Sequence, residues 1–490
     1  MPEDAPVNTG AVAWPSADSA YFAVREMQIK LHRWAGGDSS RRFGDLFNLV
    51  YDPAFLVHAW ERVSTNMGAR TPGVDKATVA MIESRVGVEA FLGQIRDLLK
   101  SGEFGPVEVR QVTIPKASGK LRKLGIPTVA DRVVQASLKA VLEPIFEADF
   151  QPCSYGFRPN RRAQDAIAEI HHYGTSGYRW VLECDIKACF DEIDHTALMD
   201  RLRVRIKDKR VCALVKAFLK SGVLTELGGR EETLTGTPQG GILSPLLANI
   251  ALSALDDHFS RQWHQEMGSD GQRRKRRQNG QGNWKIIRYA DDFVLMVHGE
   301  RRHAEALREE VAAVLAPMGL RLAPEKTAVV HLDEGFTFLG FDIRRMRKRG
   351  TQKYYVYTKP SKKAIQAIKD KVRTKTYRST RHMGLDELIA SLNRSLAGWA
   401  NYFRHGVSKA VFSDVDSHAW NRLMRWIRAK YKHGSHRIGM PELRRRFCGQ
   451  GWRFACNGVV FTGASSVAVT RYRYRGSTIP TPWTPAPAPG

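Results

Sequence analysis

The segment KIIRYADDFVLMVHG, residues 285–299, places two adjacent aspartates between two runs of β-forming residues. A short polar break between such runs is typical of a tight β-hairpin, and aspartate is an ordinary turn residue. The flanking runs are apolar enough to predict that the hairpin is buried, where carboxylates are costly. Asp291 and Asp292 are therefore either plain turn residues or chemically active groups, and the hairpin alone leaves both possibilities open.

The charge of the chain indicates what kind of partner it binds. Its 490 residues, enough for about three domains, include 76 Lys and Arg against 50 Asp and Glu, which gives a net charge of +26. Hydrophobic residues make up 43 % of the chain, which is sufficient for real cores. So large a positive excess favours polyanions such as nucleic acids, with an anionic membrane surface as the rival partner.

The apolar segments argue against a membrane partner. No apolar run approaches the roughly 18 residues of a membrane span, and no basic amphipathic helix stands out as a surface anchor. The N-terminal sequence MPEDAPVNTGAVAWPSADSA has no signal-peptide pattern. The six cysteines are scattered, which predicts neither a disulfide framework nor paired zinc knuckles. We therefore expect a cytoplasmic protein that binds nucleic acid and no membrane.

The sequence patterns divide the chain into regions of different character. In chain order these are a disordered N-terminus (1–19), a helical region (20–105), a region of alternating strands and helices (106–345), a basic helical region (346–440), a basic appendage (441–476) and a Pro-rich tail that cannot form a core (477–490). Within the mixed region, residues 266–283 predict a polar, Gly-rich loop. Its basic run, residues 273–277, is either a solvated charge cluster or a phosphate contact.

A third carboxylate lies at the end of another predicted strand. The segment YRWVLECDIKACFDEIDHTALMDRL (178–202) predicts a strand that ends at Asp185, and then a helix with Asp194 as its N-cap. If the acidic strand ends lie side by side, the three carboxylates raise one another's pKa unless cations neutralise them. Two Mg²⁺ ions would do so, and would stabilise both the attacking and the leaving oxygen of a phosphoryl transfer. The sequence therefore predicts a candidate two-metal site.

A tight turn lies between the two acidic segments along the chain. TGTPQGGILSPLLANIALSALDDHF (235–259) contains a Pro-Gln-Gly-Gly turn and then a predicted helix, with Ser244 as N-cap and Pro245 at its first position. The glycines let a ligand approach the backbone closely, beside Gln239. Such a turn is commonplace alone, but its position between the acidic strands suggests that it belongs to the same site.

Residues 289–292, Tyr-Ala-Asp-Asp, form the tetrapeptide of reverse transcriptases. In order along the chain, the surrounding blocks resemble those of group II intron-encoded reverse transcriptase/maturases. These blocks are NMGARTPGVDKAT (66–78), the segment 114–167, LECDIKACFDEIDH (182–195), GTPQGGILSPLLANIAL (236–252), YADDFVL (289–295), GLRLAPEKT (319–327), FTFLGFDI (336–343) and SLNRSLAGWANYFRHG (391–406). The tetrapeptide alone is a weak signal, whereas so many blocks in the family's order form a specific one.

The resemblance implies an α+β fold of right-hand polymerase type, with fingers and an antiparallel palm sheet followed by a helical thumb/maturase domain. It makes Asp185, Asp291 and Asp292 the catalytic ligands of two Mg²⁺ ions, with the backbone carbonyl of Ile186 next to a metal. Phe190 matches the bulky gate that excludes a nucleotide 2′-hydroxyl.

Further roles follow from the same resemblance. Gln239 matches the residue beside the incoming nucleotide, and Lys116 and Arg122 match the cations that hold its triphosphate. Lys326 matches a position near the metals and Gly340 one near the primer, although both are equally compatible with a structural role. The remaining nucleic-acid contacts implied are Arg158, on the template, and the thumb cations Lys362 and Lys363.

The activity implied is RNA-directed DNA synthesis from dNTPs on an RNA template with a DNA primer. The partners implied are group II intron RNA, which the protein would help to splice, and target DNA at the nucleoid, where the RNA is copied during retrohoming. Two alternatives stay open: an RNA-binding maturase whose polymerase is vestigial, and a reverse transcriptase of this lineage recruited to phage defence. Whether the flanking DNA folds as a group II ribozyme would decide most of this.

The C-terminal sequence departs from family members that end in a zinc-dependent His-Asn-His endonuclease. Only Cys448 and Cys456 lie near the end, with His433 and His436 upstream, and their spacing does not match paired zinc ligands. We therefore expect no endonuclease in this chain. Residues 441–476 mix arginines with aromatics, which suits either a nucleic-acid-binding appendage or a small packed domain with a solvated basic face.

Overall fold

The computed structural model describes residues 12–115, 121–225, 229–233, 235–237, 240–433, 436–449, 452–476 and 478–484. Lys116 and Gln239 lie outside these ranges, so their roles stay predictions. The helices described are α1 (Ala17–Gly37), α2 (Phe47–Val50), α3 (Pro53–Ser64), α4 (Val79–Arg85), α5 (Val88–Ser101), α6 (Val129–Glu147), α7 (Ala163–Thr175), α8 (Cys189–Glu192), α9 (His195–Arg205), α10 (Lys209–Leu219), α11 (Ser244–Arg261), α12 (Asp270–Gln278), α13 (Arg301–Leu315), α14 (Lys362–Lys375), α15 (Leu385–Phe403), α16 (Lys409–Lys430) and α17 (Met440–Phe447). The strands described are β1 (Val109–Pro115), β2 (Leu121–Ile126), β3 (Trp180–Asp185), β4 (Val223–Leu224), β5 (Arg230–Glu231), β6 (Asn283–Tyr289), β7 (Asp292–His298), β8 (Ala328–His331), β9 (Phe336–Phe338), β10 (Phe341–Arg347), β11 (Tyr354–Pro360), β12 (Lys432–His433), β13 (His436–Arg437), β14 (Ala455–Cys456) and β15 (Val459–Val460).

A four-stranded antiparallel sheet with the order β6-β7-β3-β8 forms the centre of the fold. Its strands β6 and β7 are the predicted hairpin around the two aspartates. Side chains along β7 alternate between two hydrophobic cores, with Leu295 in one and Val294 and Met296 in the other. Because each face of the sheet packs on its own core, these strands are apolar throughout instead of alternating with polar residues.

The first core joins the central sheet to the N-terminal helices. Helix α6 is buried along most of its length, with Val133, Leu138 and Leu142 inaccessible to water, and α1 and α3 pack against it. Strand β2 leads into α6 and pairs with β1 in a second sheet, of order β2-β1-β4-β5. The β1–β2 hairpin is thereby attached at its base to the best-buried helix of the chain.

The second core lies on the other face of the central sheet and extends into the C-terminal helices. A three-stranded sheet of order β11-β10-β9 leads into α14. Helix α15 buries an apolar stripe in this core, namely Leu392, Leu396, Ala400 and Phe403. Phe454 and Phe461, beside the β14–β15 hairpin, are buried in the same core. The described part of 441–476 therefore shares the core of the helical region that precedes it.

The prediction of disorder up to residue 19 is wrong at its C-terminal end. Helix α1 begins at Ala17, and the Ser16 side chain caps it by accepting a hydrogen bond from the Ser19 backbone N–H at 3.3 Å. Trp14 packs against the first core. A local cap and one partly buried aromatic side chain are sufficient to extend order toward the N-terminus.

The prediction of a loop at residues 266–283 is also wrong, because Asp270–Gln278 form helix α12, here called the insertion helix. Ser269 and Gln272 form a reciprocal capping box at its start. The Arg273 guanidinium lies 4.2 Å from the centre of the Trp263 ring, which holds the helix against its surroundings. Capping and stacking thus outweigh the polar, Gly-rich composition.

Residues 478–484 of the Pro-rich tail pack on the rest of the fold, although the tail was predicted to be unable to form a core. Ile479 and Trp483 are buried, and the Trp483 indole donates a hydrogen bond to Gln28 at 3.0 Å. Arg25 donates to the Pro482 carbonyl at 2.8 Å. Because prolines reduce the conformational entropy lost on ordering, a few such anchors are sufficient to hold the segment. None of the helices in the described ranges is long and apolar enough to cross a membrane.

Candidate active site

The register of the central sheet brings the three predicted carboxylates together. Asp185, the last residue of β3, lies opposite Asp292, the first residue of β7. Asp291 precedes Asp292 in the two-residue turn that closes the β6–β7 hairpin, where Ala290 has a φ of 58°. The predicted side-by-side arrangement of the acidic strand ends is therefore confirmed.

The surroundings of these carboxylates disfavour negative charge. Burial, followed by repulsion from Asp291 and Asp185, raises the pKa of Asp292 to about 6. Burial also raises the pKa of Asp291, against the opposing effect of the Arg122 charge. The Asp292 side chain nevertheless remains accessible to solvent, so the site is crowded by protein atoms but open to a ligand. A bound cation would relieve this repulsion.

Lys326 brings a positive charge to the cluster. Its ammonium lies 2.5 Å from Oδ2 of Asp185, and this hydrogen bond raises the pKa of Lys326. The preceding residues hold it there, because the Ala323 N–H donates to the Asp185 carbonyl at 2.8 Å and the Lys187 N–H donates to the Arg321 carbonyl at 3.0 Å. The structure thus places Lys326 beside the carboxylates, as the resemblance implies.

The donor set fits divalent cations such as Mg²⁺, which prefer carboxylate and carbonyl oxygens. Within the described ranges no three His, Cys, Asp or Glu side chains already converge on one metal position, and the Lys326 ammonium holds the Asp185 carboxylate instead. Ile186 is buried and bridges to Leu322 at the end of β3, and a role for its carbonyl in metal binding stays a prediction.

Phe190, the predicted sugar gate, lies on the short helix α8 that follows β3. The Thr237 N–H donates to the Phe190 carbonyl at 2.6 Å, so the segment leading to the Pro-Gln-Gly-Gly turn is attached to the gate. A cavity of about 160 Å³ beside the Phe190 ring is also lined by residues of β1 and β2. Phe190, Thr235 and Thr237 and the β1–β2 hairpin therefore surround one small space.

Phe157 is a residue of this region that sequence reasoning missed. Its ring packs edge-on against Phe190, with 6.3 Å between ring centres, and its side chain is 49 % exposed. Its φ of 58° is unusual for a bulky residue and places the ring outside the core. In the surrounding segment YGFRPN (155–160) only Arg158 was a candidate site residue, because a single Phe carries no sequence signal for such a position.

The turn after the gate is tightly packed against β2. A Cβ atom at Gly240 would lie 2.6 Å from the Gly125 carbonyl oxygen, and its φ of 120° also favours glycine. The helix after the turn begins at Ser244 itself, with Leu243 at the N-cap position, so the prediction of Ser244 as N-cap is wrong by one residue. Pro245 lies in the first turn, where its missing N–H is tolerated.

Comparison with known proteins identifies the family. Residues 114–343 match the family described as reverse transcriptase (RNA-dependent DNA polymerase), and residues 365–446 match the group II intron maturase-specific domain. Protein YkfC of Escherichia coli is 40 % identical over 364 residues, which cover 70 % of this chain and 93 % of that protein. The chain belongs to the group II intron reverse transcriptase/maturase family. As a family member it is an RNA-directed DNA polymerase, and the predicted α+β fold with an antiparallel sheet and a helical C-terminal domain is confirmed.

Two further relatives are intron proteins. Group II intron-encoded protein LtrA of Lactococcus lactis is 34 % identical over 358 residues, covering 64 % of this chain and 58 % of LtrA. A 91 kDa protein in the cob intron of Schizosaccharomyces pombe is 31 % identical over 361 residues, covering 62 % of this chain and 43 % of that protein. This reverse transcriptase thus spans most of YkfC but only about half the length of these two relatives.

The prediction that Arg158 grips the template is wrong. Its side chain is buried, and its guanidinium donates to both carboxylate oxygens of Glu147, at 2.7 to 3.1 Å. Its remaining donors bond the backbone carbonyls of Gln151, Ser154 and Phe150. With these partners the guanidinium serves the fold of the YGFRPN segment and is not available to a phosphate.

Arg288 is a second arginine whose role the sequence analysis missed. Its side chain is fully buried and forms a two-pronged ion pair with Asp256, at 2.8 and 2.5 Å. It also donates to Asn249, to Ser154 and, at 2.7 Å, to the carbonyl of Ala290, the residue that precedes Asp291 in the turn. A charged residue inside an apolar strand was the available signal, because a buried charge requires a partner.

Gly340 and the thumb lysines lie farther along the chain. Leu339 and Gly340 form a two-residue turn with φ values of 48° and 79°, typical of a tight hairpin. The Tyr402 hydroxyl donates to the Leu339 carbonyl at 2.9 Å, which attaches this turn to α15. The conformation of this turn explains the glycine at position 340, and the primer contact of Gly340 stays a prediction.

Lys362 and Lys363 are exposed in the first turn of α14 and are accessible to nucleic acid.

Proposed function

We propose that this reverse transcriptase is an active polymerase that copies group II intron RNA into DNA and also binds that RNA to promote splicing. The observation that supports it best is the pairing of Asp185 with Asp292 beside Asp291 in the turn. In this proposal these carboxylates and the Ile186 carbonyl hold two Mg²⁺ ions. When bound, Mg²⁺ stabilises the charge that develops on the attacking and leaving oxygens of a phosphoryl transfer.

The protein's own residues orient the reactants. The positive charge of Arg122 on β2 lowers the pKa of Asp291, so Arg122 acts electrostatically on the proposed catalytic carboxylates. In this position Arg122, together with Lys116, would hold the dNTP triphosphate. Phe190 lies under the sugar and Gln239 beside the nucleotide. The primer 3′-oxygen attacks the α-phosphorus, the bond to the β-phosphate oxygen breaks, and pyrophosphate leaves.

The partners proposed are the intron RNA and a DNA target that supplies the primer, as in retrohoming by target-primed reverse transcription. Support comes from the net charge of +26, the exposed lysines at the start of α14 and the match to the maturase domain. We place this activity in the bacterial cytoplasm, at the nucleoid when DNA is the target.

The test combines two assays on the full-length protein. Primer extension on an RNA template with dNTPs and Mg²⁺ measures DNA synthesis, and splicing of the RNA encoded around the gene measures maturase activity. Splicing without DNA synthesis would favour the vestigial-polymerase alternative. DNA synthesis with no group II ribozyme in the flanking DNA would favour a reverse transcriptase recruited to another task, such as phage defence.

Replacing Phe190 with alanine is expected to raise ribonucleotide incorporation at least about tenfold relative to dNTP incorporation. The phenyl ring leaves no space for a 2′-hydroxyl, and its removal enlarges the small cavity that it lines. Single-nucleotide insertion kinetics with dNTP and rNTP measure the ratio. Phe22→Ala, an exposed Phe on α1, is the matched control. An unchanged ratio in Phe190→Ala would place the gate elsewhere.

The insertion helix allows a sharper test of RNA binding than the basic run as a whole. Arg273 stacks on Trp263, and Arg276 donates to Asn283 at 3.1 Å, so both have structural partners. Arg274 and Lys275 are exposed. If these two contact phosphates, Arg274→Ala/Lys275→Ala lowers the slope of log affinity against log salt by about 1.4 to 1.8 units.

An equilibrium RNA titration across several salt concentrations measures this slope. The double variant Arg301→Ala/Arg302→Ala on α13 removes the same charge from residues already paired with glutamates, and is expected to leave the slope unchanged. Equal slopes for the wild type and the insertion-helix variant would remove the insertion helix from the RNA-binding surface.

A further inference from the structure

A cavity of about 570 Å³ lies where four elements meet: α7, the β10–β11 hairpin, the turn between α15 and α16, and the C-terminal segment 469–472. None of the residues assigned above to the catalytic site lines it. Its volume is within the range of small-molecule and cofactor pockets. It is therefore a second concave site on this reverse transcriptase.

The interior of the cavity is apolar and its mouth exposes further apolar surface. Ile167 and Phe341 are buried at its floor. Three residues exposed to solvent at its rim are Tyr355, Val407 and Val469, at 46 %, 52 % and 41 % of their surface. Apolar side chains that are exposed around one concavity indicate a binding surface, whereas isolated ones do not.

The rim of the cavity is cationic. Lys348, Lys409 and Arg471 all line it and are exposed. The Lys348 ammonium lies 6.0 Å from the centre of the Tyr355 ring, so a positive charge stands directly beside an exposed aromatic face. The lining, all of it within the described part of the chain, includes no Asp or Glu. An anionic ligand with an aromatic part matches this combination.

The walls are held by hydrogen bonds, so the cavity does not depend on a ligand for its shape. The Val407 N–H donates to the Thr358 carbonyl at 2.7 Å, which fixes the α15–α16 turn to β11. On the opposite wall, the Tyr472 hydroxyl donates to Asp165 at 2.7 Å, and a His405 ring nitrogen lies 3.0 Å from the Thr470 carbonyl. A preformed pocket loses little entropy when it binds a ligand.

We propose that this cavity binds a single unpaired nucleotide of a folded RNA. The base enters the apolar interior and stacks on Tyr355, and the adjoining phosphates contact Lys348, Lys409 and Arg471. Folded RNA presents unstacked bases in loops and bulges, whereas a DNA duplex keeps its bases stacked, so RNA is the occupant that fits. This site lies outside the polymerase site, and the inference rests on the proposed RNA binding, for which it names one contact on the protein.

The experiment uses full-length protein whose polymerase cleft is saturated with an RNA–DNA primer–template duplex. The probe is a single-stranded RNA hexamer that carries one 4-thiouridine, crosslinked by light and mapped by mass spectrometry. We expect crosslinks in residues 354–360 and 469–472. Tyr355→Ala is expected to remove them and to weaken hexamer affinity about tenfold. Tyr354→Ala, which alters an exposed Tyr that does not line the cavity, is the matched control and is expected to keep both.

A second pair of variants tests the cationic rim. Lys348→Ala is expected to weaken hexamer binding several-fold more than Lys353→Ala, which removes the same charge from the same hairpin outside the cavity. Unchanged primer extension by Tyr355→Ala shows that the variant is folded. This activity is measured in a separate assay without the hexamer. Crosslinks only at other sites, or equal effects of the two tyrosine variants, would each overturn the proposal.

Discussion

Asp291→Asn is expected to abolish DNA synthesis, lowering the primer-extension rate at least about a thousandfold, equivalent to about 4 kcal/mol of lost transition-state stabilisation. The substitution removes one of three clustered carboxylates while keeping the size of the side chain. RNA binding and assisted splicing are expected to remain close to wild type, because affinity for RNA comes from charge distributed over the chain.

Loss of folding is not expected to explain the loss of activity. Burial raises the pKa of Asp291, which means that its charged form is disfavoured in the folded protein at neutral pH. The neutral amide removes that penalty, so without Mg²⁺ the thermal midpoint of Asp291→Asn should equal or exceed the wild-type value. Asp97→Asn, on the exposed surface of α5, is the matched control and should change neither the primer-extension rate nor the thermal midpoint. Extension near the wild-type rate would contradict the assignment of Asp291 as a metal ligand.

Arg288→Met is expected to be the most destabilising of the substitutions considered, by about 3–5 kcal/mol, because it leaves the buried Asp256 carboxylate without its partner. It also removes the hydrogen bond to the Ala290 carbonyl, in the turn that carries Asp291. Any folded fraction should therefore bind Mg²⁺ more weakly and need a higher Mg²⁺ concentration for half-maximal primer extension, in addition to being less stable.

Urea unfolding of the wild type and variant measures the stability difference, and primer extension across a Mg²⁺ series measures the second effect. The double variant Arg288→Met/Asp256→Leu is expected to recover part of the lost stability, since replacing both partners leaves no unpaired buried charge. Arg302→Met, an exposed arginine on α13, is the control and should shift the urea midpoint little. A midpoint for Arg288→Met within error of wild type would mean that the buried ion pair does not hold the turn.

The two arginines that were read incorrectly or missed show a limit of sequence reasoning. Arg158 stands in a block that resembles the family and was interpreted as a template contact, yet its partner is the buried Glu147 on α6. Arg288 stands in an apolar strand and attracted no functional interpretation, yet it supports the catalytic turn through Asp256. An arginine binds a carboxylate or a phosphate with the same geometry, so local sequence does not reveal which anion it meets.

The insertion helix and the tail show a different limit. The capping box at Ser269 was readable in the sequence, but polar composition favoured a loop, and the stacking of Arg273 on Trp263 decided for a helix. In the tail, Trp483 and Ile479 are few among many prolines, yet both are buried, Trp483 beside Gln28 of α1 and Ile479 in the second core. Composition predicts an average tendency, which one or two specific contacts can override.

The sequence by itself determined the two acidic strand ends, the hairpin around residues 290 and 291, and the order of blocks that identifies the family. These features depend on neighbours along the chain, where alternation, turn residues and motif order are directly visible. Only the tertiary structure decided that Asp292 faces Asp185 and that Arg288 donates a hydrogen bond to the Ala290 carbonyl in the turn. It also decided that Phe157 packs on Phe190, and that a cavity with a cationic rim forms between α7 and β11. The physical reason is that register, ion-pair partners and cavities depend on contacts between residues distant in sequence. Many different partners could satisfy a given buried charge or ring, and only the fold determines which of them is in contact with it.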